Sequence, residues 1–256
     1  MNRVQQLFQQ KEKNILSIYF TAGYPKLEST VTLIEYLDQA NVDMIEIGMP
    51  FSDPLADGPT IQQANSIALE NGMSLKKLLE QLKDIRTKTQ IPILLMGYLN
   101  PILQYGEGEF LRDIHNIGID GLIIPDMPLS YYKNHLQELY QQYHLAHVML
   151  VTPTTTEERI KEIDQNSSGF IYLVSSNSIT GNQLQTNHQK QYFEKIQRLQ
   201  LNNKTILGFG IHNKETVTHA FEHCNGAIVG SAFVRFLATT SITANNIQQF
   251  INNLRP

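Results

Sequence analysis

The fold is decided by residues 43–60, which read DMIEIGMPFSDPLADGPT. The stretch begins with an apolar run whose side chains alternate between two faces, with Ile45 and Ile47 on one face and Glu46 on the other. A nearly continuous apolar run predicts a strand that is covered on both faces, as in a parallel sheet. Glu46 is therefore predicted to be a buried carboxylate, which is costly unless it has a partner or a function.

Apolar runs alternate with segments of helical period along the whole chain. This alternation predicts βαβ units and a parallel sheet. The predicted strands are residues 15–22, 44–49, 91–98, 121–125, 148–151, 170–174, 205–210 and 227–230. The predicted helices include residues 2–10, 60–70, 75–88 and 157–165. Residues 177–190 are poor in apolar side chains and are predicted to form a long loop after the sixth strand.

Eight β/α units in 256 residues predict an α/β fold of the (β/α)8 TIM-barrel type. We expect one domain over residues 1–256, with extra helices at the N-terminus and after strand 2. The alternative is an open doubly wound sheet, which usually carries a glycine fingerprint after its first strand. Residues 21–25, TAGYP, are not such a fingerprint, so the barrel is favoured.

Composition excludes several classes of protein. The net charge is −4, with 20 basic and 24 acidic residues spread along the chain, so no basic surface for nucleic acid is predicted. No apolar run is long enough to span a membrane, and the first residues lack the apolar segment of a signal peptide. The single Cys224 fits a cytoplasmic protein, and we expect it to be a small buried side chain rather than a nucleophile.

The chemistry of a barrel lies at the C-terminal ends of its strands. No lysine falls within a predicted strand, and Lys204 only just precedes the seventh, so a Schiff-base mechanism is not favoured. Among the histidines, only His212 is predicted near that end of the barrel. No flavin or nicotinamide fingerprint occurs in the sequence, so no cofactor is predicted for this chain.

Two groups of residues have side chains of the types that bind metal ions. His219 and His223 share one face of a predicted outer helix, where solvated side chains are the favoured interpretation. A three-ligand centre at the barrel mouth would require Asp53, Asp57 and Asp126 to converge. Neither arrangement is favoured, and the sequence predicts no metal.

Carboxylates are the remaining candidates for acid–base chemistry. Burial should raise the pKa of Glu46 toward neutrality, which suits a general acid or base. Asp57, on a polar loop, should stay ionised and can stabilise positive charge. Two carboxylates in different environments can take different roles. The alternative for Glu46 is a purely structural pairing with a tyrosine or a backbone group.

Glycines after the last two strands predict a phosphate site. Gly208, Gly210 and Gly230 can expose backbone N–H groups, and a short helix that begins near Ser231 adds its N-terminus. Gly181, in the loop after strand six, could complete the site. The alternative is that these glycines only form tight turns.

Three aromatic residues, Tyr19, Tyr172 and Phe209, are predicted near the phosphate site. On periodicity alone, a place in the core is the favoured interpretation. If their rings line a cavity, the substrate is a small phosphorylated molecule with a flat apolar part.

Residues 46–62, EIGMPFSDPLADGPTIQ, closely resemble the signature of the tryptophan synthase α subunit family. Further motifs are similar to the family's other landmarks, in order along the whole chain: TAGYP at 21–25, GYLNP at 97–101, PDMP at 125–128, ITG at 179–181 and GFGI at 208–211. The resemblance implies a lyase of L-tryptophan biosynthesis that cleaves indole-3-glycerol phosphate to indole and glyceraldehyde 3-phosphate. It also implies a pyridoxal-phosphate β subunit as the partner, in an α2β2 complex, to which indole is passed.

The same resemblance implies roles for individual residues. Glu46 matches the catalytic glutamate of the family and Asp57 its catalytic aspartate. Tyr19 and Tyr172 match positions that line the indole pocket. Thr180 and Gly181 fall on a loop that closes over the site. The positions that match the phosphate site are Gly208, Phe209, Gly210, Gly230 and Ser231.

Two alternatives remain open at this point. One is another phosphate-binding barrel, such as a sugar-phosphate isomerase, which release of indole from indole-3-glycerol phosphate would exclude. The other is a non-catalytic barrel that only activates a partner enzyme. The intact pair of Glu46 and Asp57 argues against this second alternative.

Overall fold

Eight parallel strands form a closed barrel in chain order. The computed structural model describes residues 2–174 and 183–256, with only the backbone for 183–187. The strands are β1 (Ile15–Thr21), β2 (Met44–Gly48), β3 (Ile93–Met96), β4 (Gly121–Ile123), β5 (Ala146–Val151), β6 (Phe170–Val174), β7 (Lys204–Gly208) and β8 (Gly226–Val229). The predicted TIM barrel is confirmed, and the open sheet is wrong because β1 pairs with both β2 and β8.

Helices surround the barrel and include the two predicted additions. One additional helix precedes β1. Between β2 and β3 there are two helices, where an ordinary β/α unit has one. The helices are α1 (Arg3–Gln10), α2 (Ser29–Gln39), α3 (Pro59–Glu70), α4 (Leu75–Leu82), α5 (Leu99–Tyr105), α6 (Glu107–Ile117), α7 (Leu129–Tyr131), α8 (Gln137–Gln142), α9 (Glu157–Asn166), α10 (Gln183–Arg198), α11 (Lys214–His223), α12 (Ser231–Thr239) and α13 (Ala244–Leu254). A 3₁₀ turn (Ile85–Thr87) follows α4, and a π-helical turn (Tyr132–Leu136) precedes α8.

Helix α1 covers the N-terminal end of the barrel. The Asn2 side chain, which caps the helix, donates to the carbonyl oxygens of Asp120 and His144, residues that precede β4 and β5. Val4 and Phe8 are buried, and the Phe8 ring lies 6.2 Å from that of Phe170. The opposite end, where the strands terminate, remains open for a ligand.

Several predicted boundaries need correction. The strand predicted at 205–210 ends at Gly208 because Phe209 and Gly210 adopt φ of 65° and 74°, outside the β region. It also begins earlier, so Lys204 is its first residue, at the end remote from the mouth.

The loop predicted at 177–190 is wrong from residue 183 onward, where α10 begins; residues 175–182 lie outside the described part. Among the described side chains of this helix, which begin at His188, those of Tyr192, Phe193 and Ile196 are buried. In the sequence, residues 183–190 read QLQTNHQK, with Leu184 as the single apolar residue. No apolar helical period is present there, so a loop was predicted.

The register of β1 and β2 positions the candidate acid. Tyr19 is the pairing partner of Glu46, and Ser17 is that of Met44. Glu46 therefore lies level with Tyr19, and Ser17 lies one layer nearer the N-terminal end of the barrel. Among the described residues, no helix is long and apolar enough to cross a membrane.

Candidate active site

A cavity of about 430 Å³ opens at the C-terminal ends of the strands, a size suited to a small ligand. Its walls carry the two tyrosines predicted there, and the rings of Tyr172 and Phe209 meet edge to face at 6.1 Å. The described residues that line it are Tyr19, Ala56, Asp57, Gly58, Pro59, Thr60, Ile61, Met96, Tyr172, Phe209, Gly210, Ile211, His212, Ile228, Gly230, Ser231, Ala232 and Arg235. The cavity lining thus combines apolar and aromatic side chains with polar and charged groups.

Asp57 lies at one side of this cavity. Its Oδ2 accepts a hydrogen bond from the Tyr98 hydroxyl at 3.2 Å and lies 3.5 Å from Nδ2 of Asn65. Burial raises the pKa of Asp57 to about 6, although both hydrogen bonds lower it. The predicted polar, fully ionised environment is therefore only partly correct: the carboxylate is desolvated, yet still mostly ionised at pH 7.

Tyr98 is a site residue that the sequence analysis did not single out. Its hydroxyl also accepts from the backbone N–H of Ala56 at 3.0 Å, and its ring lies 5.4 Å from that of Phe51. One side chain thus joins the end of β3 to the loop that carries Asp57. The signal was available, because Tyr98 is the last residue of the strand predicted at 91–98, at the functional end of the barrel.

Glu46 is completely buried in the barrel. Its Oε1 accepts a hydrogen bond from the Ser17 hydroxyl at 2.9 Å, and Oε2 has no hydrogen-bond partner among the described atoms. Burial raises the pKa of Glu46 to about 8, and the Ser17 bond opposes that rise. Glu46 is not among the described residues that line the cavity, because its side chain turns toward Ser17, one layer below.

The part of the cavity wall formed by α12 and the residues after β7 has the features of an anion site. Helix α12 begins at Ser231, and its N-cap, Gly230, has no side chain to satisfy the first N–H groups. Gly210 lines the same region in a left-handed conformation, and its carbonyl oxygen lies 2.7 Å from Nδ1 of His212. Arg235, one helical turn along α12, also lines the cavity, and the sequence analysis did not assign it to the site.

Gly208 is required to be a glycine for a reason that differs from that of Gly210 and Gly230. A Cβ atom added there would lie 2.1 Å from the Tyr172 hydroxyl and 2.3 Å from its ring carbon, so the position must be glycine for the ring to fit. Gly208 is not among the described residues that line the cavity. Thr180 and Gly181 lie outside the described residues, as does the predicted closing loop around them.

The remaining candidates from the sequence are the metal-ligand groups and Cys224, and none of them lines the cavity together with Asp57. Asp53 and Asp126 do not join Asp57 in any metal-binding group among the described residues. His219, Glu222 and His223 have ligand atoms within 4.8 Å of one another, on the outer helix α11. Cys224 is buried as predicted, and burial raises the pKa of its thiol to about 12, so the thiol stays protonated.

Fold and site together define a TIM barrel with a small-ligand cavity at the C-terminal ends of its strands and two desolvated carboxyl groups, Glu46 and Asp57. The family model described as "Tryptophan synthase alpha chain" matches residues 5–255. The chain therefore belongs to the tryptophan synthase alpha chain family. It is a lyase of tryptophan biosynthesis, which cleaves indole-3-glycerol phosphate to indole.

Individual relatives are similar in sequence to this chain over its full length. The tryptophan synthase alpha chain of Flavobacterium psychrophilum is 51% identical over 255 residues, covering 99% of this chain and 100% of the relative. That of Flavobacterium johnsoniae is 50% identical over 256 residues, covering 100% of both chains.

Two solved structures share the fold over nearly their whole length. The tryptophan synthase subunit alpha of Legionella pneumophila superposes with a TM-score of 0.87 at 31% identity, covering 100% of this chain and 97% of the other. A chain of M. tuberculosis tryptophan synthase in an aminoacrylate-bound form superposes with a TM-score of 0.87 at 26% identity, covering 99% and 98%.

Proposed function

We propose that Glu46 and Asp57 divide the acid–base work of the cleavage, Glu46 as the proton donor and acceptor and Asp57 as the permanent negative charge. The observation that carries this proposal is the difference between the environments of the two carboxyl groups. Glu46 is completely buried with one hydrogen bond, whereas Asp57 lines the cavity and is bonded by Tyr98 and Asn65, and burial raises their pKa values to about 8 and about 6. At neutral pH, Glu46 is mostly protonated and Asp57 is mostly ionised. Carboxyl groups in environments that separate their pKa values are suited to separate roles.

The first step is protonation of the indole ring at C3, which gives a cation on the ring. Protonated Glu46 supplies this proton after its side chain rotates from Ser17 toward the cavity. Asp57, at the cavity wall, stabilises the cation by a charge-assisted hydrogen bond from the ring N–H. Tyr98 and Asn65 orient the Asp57 carboxylate for that contact.

The second step breaks the bond between C3 and the glycerol chain. The Glu46 carboxylate takes the proton of the adjacent chain hydroxyl as that carbon becomes an aldehyde. The bonding electron pair returns to the ring, which regenerates neutral indole. Glu46 is again protonated at the end, so no net proton is gained or lost by the enzyme.

The substrate phosphate is held by backbone groups at the start of α12 and after β7. The free N–H groups at the start of α12 and the positive end of its dipole favour an anion there. Gly210 and Gly230 allow close approach of the phosphate, and Arg235 adds a positive charge at the rim. Thr180 and Gly181 belong to the same proposal, as parts of the loop that closes over the substrate.

We expect a bell-shaped pH profile of kcat/KM for indole release by the isolated chain. Asp57 must be ionised, so activity falls as pH drops below about 6. Glu46 must be protonated, so activity falls as pH rises above about 8. The measurement is the initial rate of indole formation from indole-3-glycerol phosphate between pH 5 and pH 10.

Absence of indole at every pH would refute the catalytic proposal. The remaining interpretation would then be a non-catalytic barrel that only activates a partner enzyme. A rate that stays level from pH 7 to pH 10 would contradict the role of Glu46 as the acid. A sugar-phosphate isomerase would leave the carbon chain of the substrate uncut, so indole release excludes that alternative as well.

A pyridoxal-phosphate β subunit that receives the indole, in an α2β2 complex, is also part of this proposal, as is a cytoplasmic location. Leu55 is 92% exposed, at the tip of the loop that carries Asp57, and Leu103 on α5 is 43% exposed. Exposed apolar side chains beside a functional site are typical of a surface that a partner covers. A partner bound there would restrict the Asp57 loop and so act on catalysis.

We expect Leu55→Asp to weaken binding of the β subunit about tenfold or more, because a charge replaces an apolar contact. The isolated chain should keep its melting temperature and its basal rate of indole release, since Leu55 makes no core contact. The measurements are a binding titration and the rate of indole formation against added β subunit.

Gln200→Asp is the matched control, since it introduces the same charge at an exposed position preceding β7, at the opposite end of the barrel. Equal affinity of Leu55→Asp and the parent for the β subunit would place the interface elsewhere.

A further inference from the structure

Ser17 is a polar residue at a fully buried position inside the barrel. Its pairing partners on the two neighbouring strands are Met44 and Ile228, both buried and apolar. A buried hydroxyl among apolar side chains is costly unless it makes a hydrogen bond. Ser17 makes that bond with Glu46 alone among the described residues, from Oγ to Oε1 at 2.9 Å.

We propose that Ser17 is a positioning residue for proton transfer: before the Glu46 side chain turns toward the cavity, Ser17 keeps Oε1 as an acceptor and so assigns the transferable proton to Oε2. This inference rests on the proposed role of Glu46 as the acid. Oε2 is buried and has no partner among the described atoms, which fits an oxygen that carries a proton rather than a charge. Ser17 itself does not line the cavity, so it acts only through Glu46.

The hydroxyl bond also affects how readily Glu46 gives up its proton. A donor to a carboxyl oxygen stabilises the ionised form more than the acid, so it lowers the pKa against the effect of burial. Without Ser17, burial acts unopposed, and Glu46 should hold its proton to higher pH.

The other titratable groups that interact electrostatically with Glu46 are Tyr19 from β1 and Tyr172 from β6, and both tyrosines also interact with Asp57 on the loop after β2. Burial raises the pKa of both tyrosines well above the ordinary value, so both remain neutral over the working range. Asp57 is already ionised above about pH 6 and does not titrate where Glu46 does. Ser17 is thus the neighbour whose removal isolates the effect of one hydrogen bond.

The test compares pH profiles of kcat/KM for Ser17→Ala and the parent. We expect the basic limb of Ser17→Ala to move upward by roughly one pH unit, the effect of one hydrogen bond to a charged group. KM at pH 7 should change less than about twofold, because the cavity lining is unaltered. Ser17→Thr, which retains a hydroxyl, should keep the basic limb of the parent.

Ser167→Ala is the matched control. The Ser167 hydroxyl is buried without a partner among the described atoms, beyond the end of α9, so its removal should leave the profile unchanged. If Ser17 only supports the fold, Ser17→Ala should lower the melting temperature and leave the basic limb of the pH profile where it is in the parent, which would contradict the proposal. If Ser17→Ala does not fold, Ser17→Cys supplies the same comparison, because a thiol is only a weak donor.

A second readout does not depend on activity. Titration of ¹³C-glutamate-labelled chain by NMR, with the Glu46 signal assigned by its loss in Glu46→Gln, should show the same upward shift in Ser17→Ala. A basic limb and an NMR titration that both coincide with those of the parent would overturn the role of Ser17. An active Glu46→Gln variant would instead refute the proposed function, so the two failures are distinguishable.

Discussion

Glu46→Gln is expected to lower kcat/KM for indole release by about 10²- to 10⁴-fold or more, because the reaction loses its only proposed proton donor. Glutamine retains the shape and can still accept the Ser17 hydrogen bond at its carbonyl oxygen. The fold and substrate binding should therefore be kept. The measurement is indole formation at pH 7, beside thermal unfolding and a substrate-binding titration.

Glu80→Gln is the control for this variant, since it removes a carboxylate from the exposed side of α4. It should match the parent in rate and stability. Activity of Glu46→Gln within about threefold of the parent would remove Glu46 from the mechanism, because loss of a general acid has a larger effect.

Asp57→Asn is expected to lower kcat by about 10²- to 10³-fold, since the ring cation loses the negative charge that stabilises it. The asparagine oxygen can still accept from Tyr98, so the loop should stay in place. Asp57→Glu should lose less activity, because it keeps the charge and only displaces it. The measurement is kcat and KM for all variants at pH 7.5, where the parent carboxylate is ionised.

Asp53→Asn is the matched control, an exposed carboxylate on the same loop that does not line the cavity. It should keep the parent kcat. Equal losses in Asp57→Asn and Asp57→Glu would indicate that the geometry of the loop matters and the charge does not.

Much of the fold could be predicted from the sequence because its signals are local. The strand at residues 44–48 can be recognised from the alternation of neighbouring side chains alone. The same alternation identified Glu46 as a buried acid. The ends of elements were less accurate, because they depend on backbone conformations that the residue types do not reveal. Phe209 is an example: a non-glycine residue at φ 65° ends β7 earlier than its apolar character predicts.

The site was predicted in its residue types but not in its contacts. The sequence identified Asp57 as a candidate, while Tyr98, which binds it, lies 41 positions away along the chain. The assignment of Gly208 to the phosphate stays a prediction, and the structure adds that its small size accommodates the Tyr172 ring. Such relations depend on which strands are neighbours and in what register.

The sequence by itself determined the eight β/α units, the family, and the presence of a buried carboxylate, because these follow from periodicity and from contiguous motifs. Only the tertiary structure decided which oxygen of Glu46 is hydrogen-bonded and by which residue. Ser17 lies 29 positions from Glu46, on another strand. The closing of the barrel sets β1 beside β2 in one register, and that register brings the hydroxyl within 2.9 Å of the acid.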